Sequence, residues 1–187
     1  MNRKILALAG IFLAIPMWLS AQGVKLNIAN LLEISNSSIS NISNILRTNG
    51  FTLQYTKDYP NYLIAEKNIN VQEVVWGYGV TYKKDDMWSY LPIHRNDIAT
   101  IYIFFEKGKT TPFVVTYAFN NMTIYNSFFE NLNRLGYQKV DEEIQTEKIN
   151  ITYENIQTKK IIILSEKTTL SGTFKYSFKI LVFSDCL

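Results

Sequence analysis

The chain has 187 residues, 19 of them basic and 16 acidic, for a formal charge of +3. Two of the basic residues, Arg3 and Lys4, precede an apolar run at the start, and without them the balance is 17 against 16. That balance lacks the concentrated basic face a nucleic-acid partner requires, and one cysteine and one histidine are too few for an internal disulfide or a transition-metal centre.

The first element is "MNRKILALAGIFLAIPMWLSAQG". Two cations, an apolar run from Ile5 to Leu19 and then small and polar residues read as a cleaved secretory signal peptide. The expected cut follows Ala21, so residues 1–21 leave and Gln22 begins a secreted or periplasmic chain. No cysteine lies near the cut to carry a lipid. No later segment approaches the ~20 apolar residues of a membrane span, so the mature chain is expected to hold none.

A short helix is expected near Ile28–Ile34, a break at Ser35–Ser37, and a main helix running to Asn49. The stretch is rich in Ser and Asn, which compete for the backbone, yet Ile39, Ile42, Ile45 and Leu46 keep helical spacing. Strands follow at Phe51–Thr56, Tyr62–Lys67, Val71–Tyr82, Ile101–Glu106 and Phe113–Phe119, with "EKGKTTP" as a turn. A second helix starts with Thr123 as its expected N-cap. Its apolar face is Ile124, Tyr125, Phe128, Phe129, Leu132 and Leu135. Four more strands, Tyr137–Glu142, Ile149–Glu154, Lys160–Ser165 and Phe174–Phe183, have short polar separators and form an antiparallel meander. Ile161–Leu164 is apolar on both faces and belongs in a central strand.

The two helices echo each other. Gly50 and Gly136 lie 86 positions apart, and Leu46 matches Leu132, Ile42 Phe128, Ile39 Tyr125 and Phe51 Tyr137 at the same offset. A glycine that takes the left-handed conformation, followed by an aromatic residue packed on the leucine four before it, is the signature of a Schellman cap. The expected fold is therefore α+β: two tandem repeats, each a helix followed by a four- or five-stranded antiparallel meander packed on it. The first spans 22–122 and the second 123–187. Four Asn-x-Ser/Thr matches (Asn36, Asn41, Asn121, Asn150) reflect an Asn-rich composition.

The ending "LSAQ", the start "NLLEIS" and the paired helix ends "LRTNGF" and "NRLGY" resemble small secreted proteins of Gram-negative bacteria with helix-plus-sheet repeats. The resemblance implies no catalytic residues. Other secreted tandem helix-plus-sheet folds, the β-lactamase-inhibitor-like fold among them, act by binding proteins.

The chemistry inventory points the same way. His94 is the only histidine, and the sole Cys186 sits at the far end of the chain. No Gly-x-Ser-x-Gly elbow, phosphate loop, HExxH or CxxC spacing occurs, so neither cofactor nor metal is expected. Asp85–Asp86 and Glu142–Glu143 are neighbours whose side chains diverge, unlike the converging pair of a hydrolase. Lys83–Lys84 and Lys159–Lys160 read as solvated strand ends.

The stretch "WGYGVTYKKDDMW" (Trp76–Trp88) is densest in large rings. Strict alternation puts Trp76, Tyr78, Val80 and Tyr82 on one face and leaves a trough at Gly77 and Gly79 on the other. Ordinary packing of the rings, with the trough filled by the chain itself, competes with a binding role. After its helix the first repeat is longer than the second. Much of the excess lies in a loop, Lys83–Ala99, that holds Trp88, Tyr90, His94, Arg95 and Asp97. Trp76, Tyr78, Trp88, Tyr90, His94 and Arg95 are accordingly the candidate binding residues. The reading is a non-catalytic secreted or periplasmic binding protein whose partner is a protein or another envelope component. The alternatives are a carrier of an apolar small molecule between sheet and helix, and a hydrolase using His94.

Overall fold

The computed structural model describes residues 26–64, 67–83, 87–90, 97–168 and 174–182. Three helices lie against one eight-stranded antiparallel sheet, an α+β arrangement. Helix α1 spans Ile28–Asn36 and α2 Ile39–Thr48. Strands β1 (Thr52–Ile64), β2 (Lys67–Tyr78), β3 (Val80–Lys83), β4 (Met87–Tyr90), β5 (Ala99–Glu106) and β6 (Val114–Phe119) follow. Helix α3 (Met122–Arg134) leads into β7 (Gln138–Ile144), β8 (Lys148–Asn155), β9 (Lys160–Lys167) and β10 (Tyr176–Val182).

Helices rich in Ser and Asn form here because those side chains turn back onto the helix itself. Ser43 Oγ donates to the Ile39 carbonyl at 2.9 Å, and Asn36 and Asn49 donate to the carbonyls of Leu32 and Ile45. The competition for backbone groups is thereby satisfied without unwinding. At the start of α1, Asn27 and Asn30 exchange side-chain and backbone bonds in a capping box. The cap of α3 is Asn121, whose side chain accepts from the N–H groups of Thr123 and Ile124 at 2.9 and 3.2 Å. Thr123, expected as the cap, is inside the helix. Either residue type can cap, and here the helix begins two residues earlier than periodicity suggested.

Both long helices end alike. Gly50 and Gly136 take φ of +80° and +79°. Phe51 N–H donates to the Leu46 carbonyl at 2.9 Å and Gly50 N–H to that of Arg47. Tyr137 N–H donates to Leu132 at 3.0 Å and Gly136 N–H to Asn133. These are the paired bonds of a Schellman motif. Leu46, Phe51, Leu132 and Tyr137 are all buried, as are Ile42 and Phe128. Ile39 departs from the echo: it is exposed, whereas Tyr125 is buried. The strand after each helix carries a bulge, at Gln54 in β1 and at Val140 in β7, again 86 positions apart. Each bulge sits on an outer strand of the sheet, where extra twist discourages pairing with another chain.

The sheet order is β1-β2-β5-β6-β10-β9-β8-β7. Two separate sheets, one per repeat, were expected from sequence. Instead β6 and β10 pair antiparallel over six residue pairs, from Tyr176↔Phe119 to Leu181↔Val114, and unite all eight strands. Both strands are apolar, and leaving their inner edges unpaired would strand buried backbone groups. Thr52–Thr56 and Tyr62–Ile64, from two strands expected at Phe51–Thr56 and Tyr62–Lys67, belong to the single long β1, and Lys67 opens β2. The ladder is irregular between Tyr59 and Tyr62, where Pro60 cannot donate and Asn61 adopts φ of 55°. An outer strand tolerates both.

One face of the sheet carries the helices. Trp76, Ile101, Ile103, Val115, Tyr117, Phe178, Ile180, Ile162, Leu164 and Tyr153 point to this side and join Leu31, Ile34, Ile42, Leu46, Phe128 and Leu132 in one core. Rings bridge the two layers: Phe119 meets Phe128 edge-on at 5.7 Å, and Tyr125 stacks on Tyr176 at 4.5 Å. Lys160 also faces this layer and is buried, not solvated as expected. Its Nζ donates to Ser35 Oγ at 2.9 Å and Asn36 Oδ1 at 2.7 Å, tying β9 to the end of α1.

Candidate functional site

The Trp76–Tyr82 stretch does not alternate throughout. Gly79 takes φ of +64°, which turns the chain and separates β2 from β3. Trp76 is 3% exposed in the helix-side core, with the Arg47 guanidinium 6.0 Å from its ring centroid. Tyr78 lies on the same side, 5.8 Å from Phe51. Beyond the turn, Val80 and Tyr82 stand over the opposite face, contrary to the expected alternation. Val80 is buried, and the Tyr82 ring lies 4.5 Å from that of Tyr55. The trough at Gly77 is real and is filled by the chain itself. A Cβ there would come within 2.8 Å of a Val80 methyl and 3.1 Å of Gln54 Nε2. Gln54 Oε1 accepts from Tyr82 N–H at 2.9 Å and helps seat β3 there.

The trough continues across the sheet. Ladder partners place Gly77, Thr100, Ala118, Ser177, Ser165 and Asn150 in one transverse row. All are small or short, so the row is a depression between taller neighbours. Thr100, within it, is fully buried, and its hydroxyl has no hydrogen-bond partner among the described residues. Where Val80 no longer covers the row, a cavity of about 300 Å³ opens, lined by Tyr102, Ala118, Ser177, Ser165, Phe174 and the stems of lysines. Lys148 and Lys167 stand directly opposite each other on β8 and β9 above it. Lys179 projects from the row below, with Thr116 and Ile163 as its cross-strand neighbours. Burial pushes the Lys179 pKa down, and the nearby Lys148 charge adds to the effect. The Lys175 ammonium, at the rim, pairs with Glu166 at 3.0 Å. Glu143, on the outer strand, feels Lys148 as well, though hydrogen bonds from Gln145 and Asn150 do more to hold its carboxyl below the ordinary range.

At the other end the face is aromatic. Tyr55, Tyr59, Tyr102 and Phe104 share it with Glu73, which accepts from the Tyr59 hydroxyl at 2.9 Å. Burial, with Glu73 close by, raises the pKa of both Tyr55 and Tyr59. Phe104, Val114, Leu181 and Ile161 form a transverse apolar row, all partly exposed, and no described helix lies over them.

Comparison with protein-family models, with curated proteins and with solved structures finds no match.

Of the sequence-derived candidates, Trp76 and Tyr78 come together on the helix side. Trp88 and Tyr90 lie in β4, whose backbone pairs with β3 in the registers Tyr82↔Trp88 and Val80↔Tyr90. The expected loop is thus partly a hairpin, since β-formers on both arms can pair across a short turn. His94 and Arg95 lie outside the described residues. The three lysines that line the cavity, Lys148, Lys167 and Lys175, went unread because they are 8 to 27 positions apart in sequence. The available signal was Lys179, a charge inside the apolar run "YSFKILV" that alternation puts beside Ser177. Among the described residues no three His, Cys, Asp or Glu side chains are grouped to hold a metal ion, and no helix is long and apolar enough to cross a membrane.

Proposed function

We propose that this chain is an exported, non-catalytic binding protein that recognises a protein partner with the helix-free face of its sheet. One observation carries the reading. Each of the four central strands places a large apolar residue on the face that no described helix covers, and these four, Phe104, Val114, Leu181 and Ile161, form one partly exposed row. An apolar patch of contiguous strands, bordered by tyrosines and lysines, has the composition of an interaction surface. Trp88 and Tyr90 lie in β4, paired with the β3 strand whose Val80 and Tyr82 stand over that face, and His94 and Arg95 follow them in sequence. They are proposed as its rim.

The same reading treats the chain as two copies of one unit, a helix and a four-stranded meander. The glycine caps and the bulges, each 86 positions apart, support this, as does a strand order that reads β1-β2-β5-β6 in one direction and β7-β8-β9-β10 in the other. The β3–β4 hairpin is then an insertion, where the second unit has only the turn 156–159. Export rests on the leader ending at Ala21.

The test is affinity recovery from envelope extract, comparing the unaltered chain with a Tyr102→Ala, Phe104→Ala variant and with Glu130→Ala on α3. The expected result is a partner retained by Glu130→Ala and lost from the double variant. A partner retained by a folded double variant refutes the reading.

A further inference from the structure

Strands β1 and β2 continue past the point where the sheet supports them. Strand β2 pairs with β5 only as far as Val71↔Glu106, and just beyond it Lys107 N–H donates to the Asn70 carbonyl at 2.8 Å. From there β1 and β2 run on as a pair, through Tyr62↔Ile69, Leu63↔Asn68 and Ile64↔Lys67, with no other described strand beside them. This arm extends ~10 Å, three steps of ~3.4 Å each. A two-stranded ribbon is only marginally stable in water unless something packs on it. Yet the arm shows large apolar side chains to solvent: Tyr62 is 46% exposed and Leu63 66%. It leaves the sheet at Pro60 and Asn61, where the ladder slips, Asn61 takes φ of 55° and its N–H donates to Asn70 Oδ1 at 3.3 Å. Bulges and bends of this kind are where strands pass from one sheet to another packed across it. Tyr62 meets Tyr59 edge-on at 6.2 Å, and Tyr59 reaches Glu73 on the helix-free face, so Tyr62 is presented on that same side.

We propose that this chain forms a two-fold dimer in which the β1–β2 arm of each copy lies across the open face of the other, along the row Phe104, Val114, Leu181 and Ile161. The inference rests on the binding-face reading above and names a second copy of the chain as the partner. Turning two open faces toward each other brings Tyr62 of each arm against the row of the other copy. The row crosses four strands and is ~14 Å long at ~4.8 Å per strand, a length the arm nearly spans. Because the row is transverse, an arm lying along it crosses the strands beneath at close to a right angle, which is the orthogonal mode of sheet packing. An apolar arm and an apolar row on one chain are the two halves that a self-complementary interface needs. Area decides that the contact is made twice. One arm on one row buries roughly 600 Å² in all, at about 30–40 Å² for each of eight arm residues and as much from the face beneath, which is no more than a packing contact. The reciprocal pair doubles this to roughly 1,200 Å², the lower end of stable specific interfaces.

The experiment uses the full chain as it accumulates in cells, followed by light scattering and sedimentation equilibrium from low micromolar to near-millimolar concentration. The unaltered chain should pass from monomer to dimer as concentration rises. Two double variants, Tyr62→Thr with Leu63→Thr on the arm and Leu181→Thr with Ile161→Thr on the row, keep strand-forming side chains and remove the apolar contact. Each should raise the dissociation constant at least ~10-fold. A second measurement leaves the arm and row otherwise intact. Tyr62→Cys chains mixed with Leu181→Cys chains, both carrying Cys186→Ser, should be joined by a short bismaleimide, and Glu130→Cys chains mixed with Leu181→Cys chains should not. A single-copy mass at every concentration overturns the exchange. So does a dimer that the arm variant leaves intact, or one in which Glu130→Cys is joined as readily as Tyr62→Cys. The open-face reading is judged apart from this, by envelope recovery that depends on Tyr102 and Phe104. A monomeric chain that still recovers such a partner refutes the exchange alone. A dimer joined through Tyr62 and Leu181, in a chain that recovers no other protein, leaves the exchange standing and confines the open face to its own second copy.

Discussion

Gly77→Ala offers a direct measure of how tightly the inserted hairpin is seated. The new Cβ would stand 2.8 Å from a Val80 methyl and 3.1 Å from the Val80 carbonyl oxygen. Val80 is short, branched and buried, and its backbone begins β3, so relief requires moving the strand and not only a rotamer. Overpacking of this kind costs about 1–3 kcal/mol. Reduced freedom of the unfolded chain returns about 0.4–1 kcal/mol where the native backbone suits alanine. The expected net loss is about 1–2 kcal/mol, read as a lower urea midpoint at unchanged slope. Val80→Ala alone should cost about 1 kcal/mol or more, from lost burial and a cavity. Combined, the two changes should cost less than their sum, because the alanine Cβ then enters space the valine has vacated. A Gly77→Ala variant as stable as the unaltered chain, or strictly additive costs in the pair, refutes the packing described at the trough.

Three further outcomes follow from other parts of the molecule. Gly50→Val and Gly136→Val should each destabilise by on the order of 1–2 kcal/mol, since both positions hold φ near +80° and a β-branched side chain resists it; thermal unfolding of both variants checks this. Burial lowers the Lys160 pKa from its ordinary 10.5, so the folded chain holds that proton less tightly than the unfolded one. The cost is fully present at neutral pH and is relieved as pH rises through the lowered value towards 10.5. The stability of the unaltered chain relative to Lys160→Met should therefore increase over that window, a difference in which the buried tyrosines common to both proteins cancel. N-terminal sequencing of the envelope fraction should begin at Gln22, and an intact Met1 in the membrane pellet would contradict export by cleavage.

Local signals carried most of the elements. Gly50 and Gly136 mark two helix ends because a left-handed residue is a strictly local requirement, and the aromatic after each reports its own burial. Strands β7 to β10 stand out because three polar separators divide that stretch into four. What escaped lies in relations between distant segments. That β6 and β10 join two meanders into one sheet depends on matching edges, which no window of either half contains. Gly79 was visible as a glycine, but whether it would continue a strand or turn it depended on Val80 finding a seat over Gly77. The depression was hidden for the same reason: Thr100, Ala118, Ser177 and Ser165 lie far apart in sequence, and only the ladder registers bring them into one row. Lys160 misled in the opposite direction, since a lysine beside a turn gives no hint of the Ser35 and Asn36 acceptors that bury it.

The central claim is that the helix-free face of the sheet, and not the helix side, meets the partner. Site-specific photo-cross-linking in intact cells tests it most directly, with a photoreactive phenylalanine analogue at Thr116, amid the open face, and separately at Glu130 on the exposed side of α3. The account predicts a discrete cross-linked species from Thr116 and none from Glu130. A species that forms from Glu130 and not from Thr116 would contradict it.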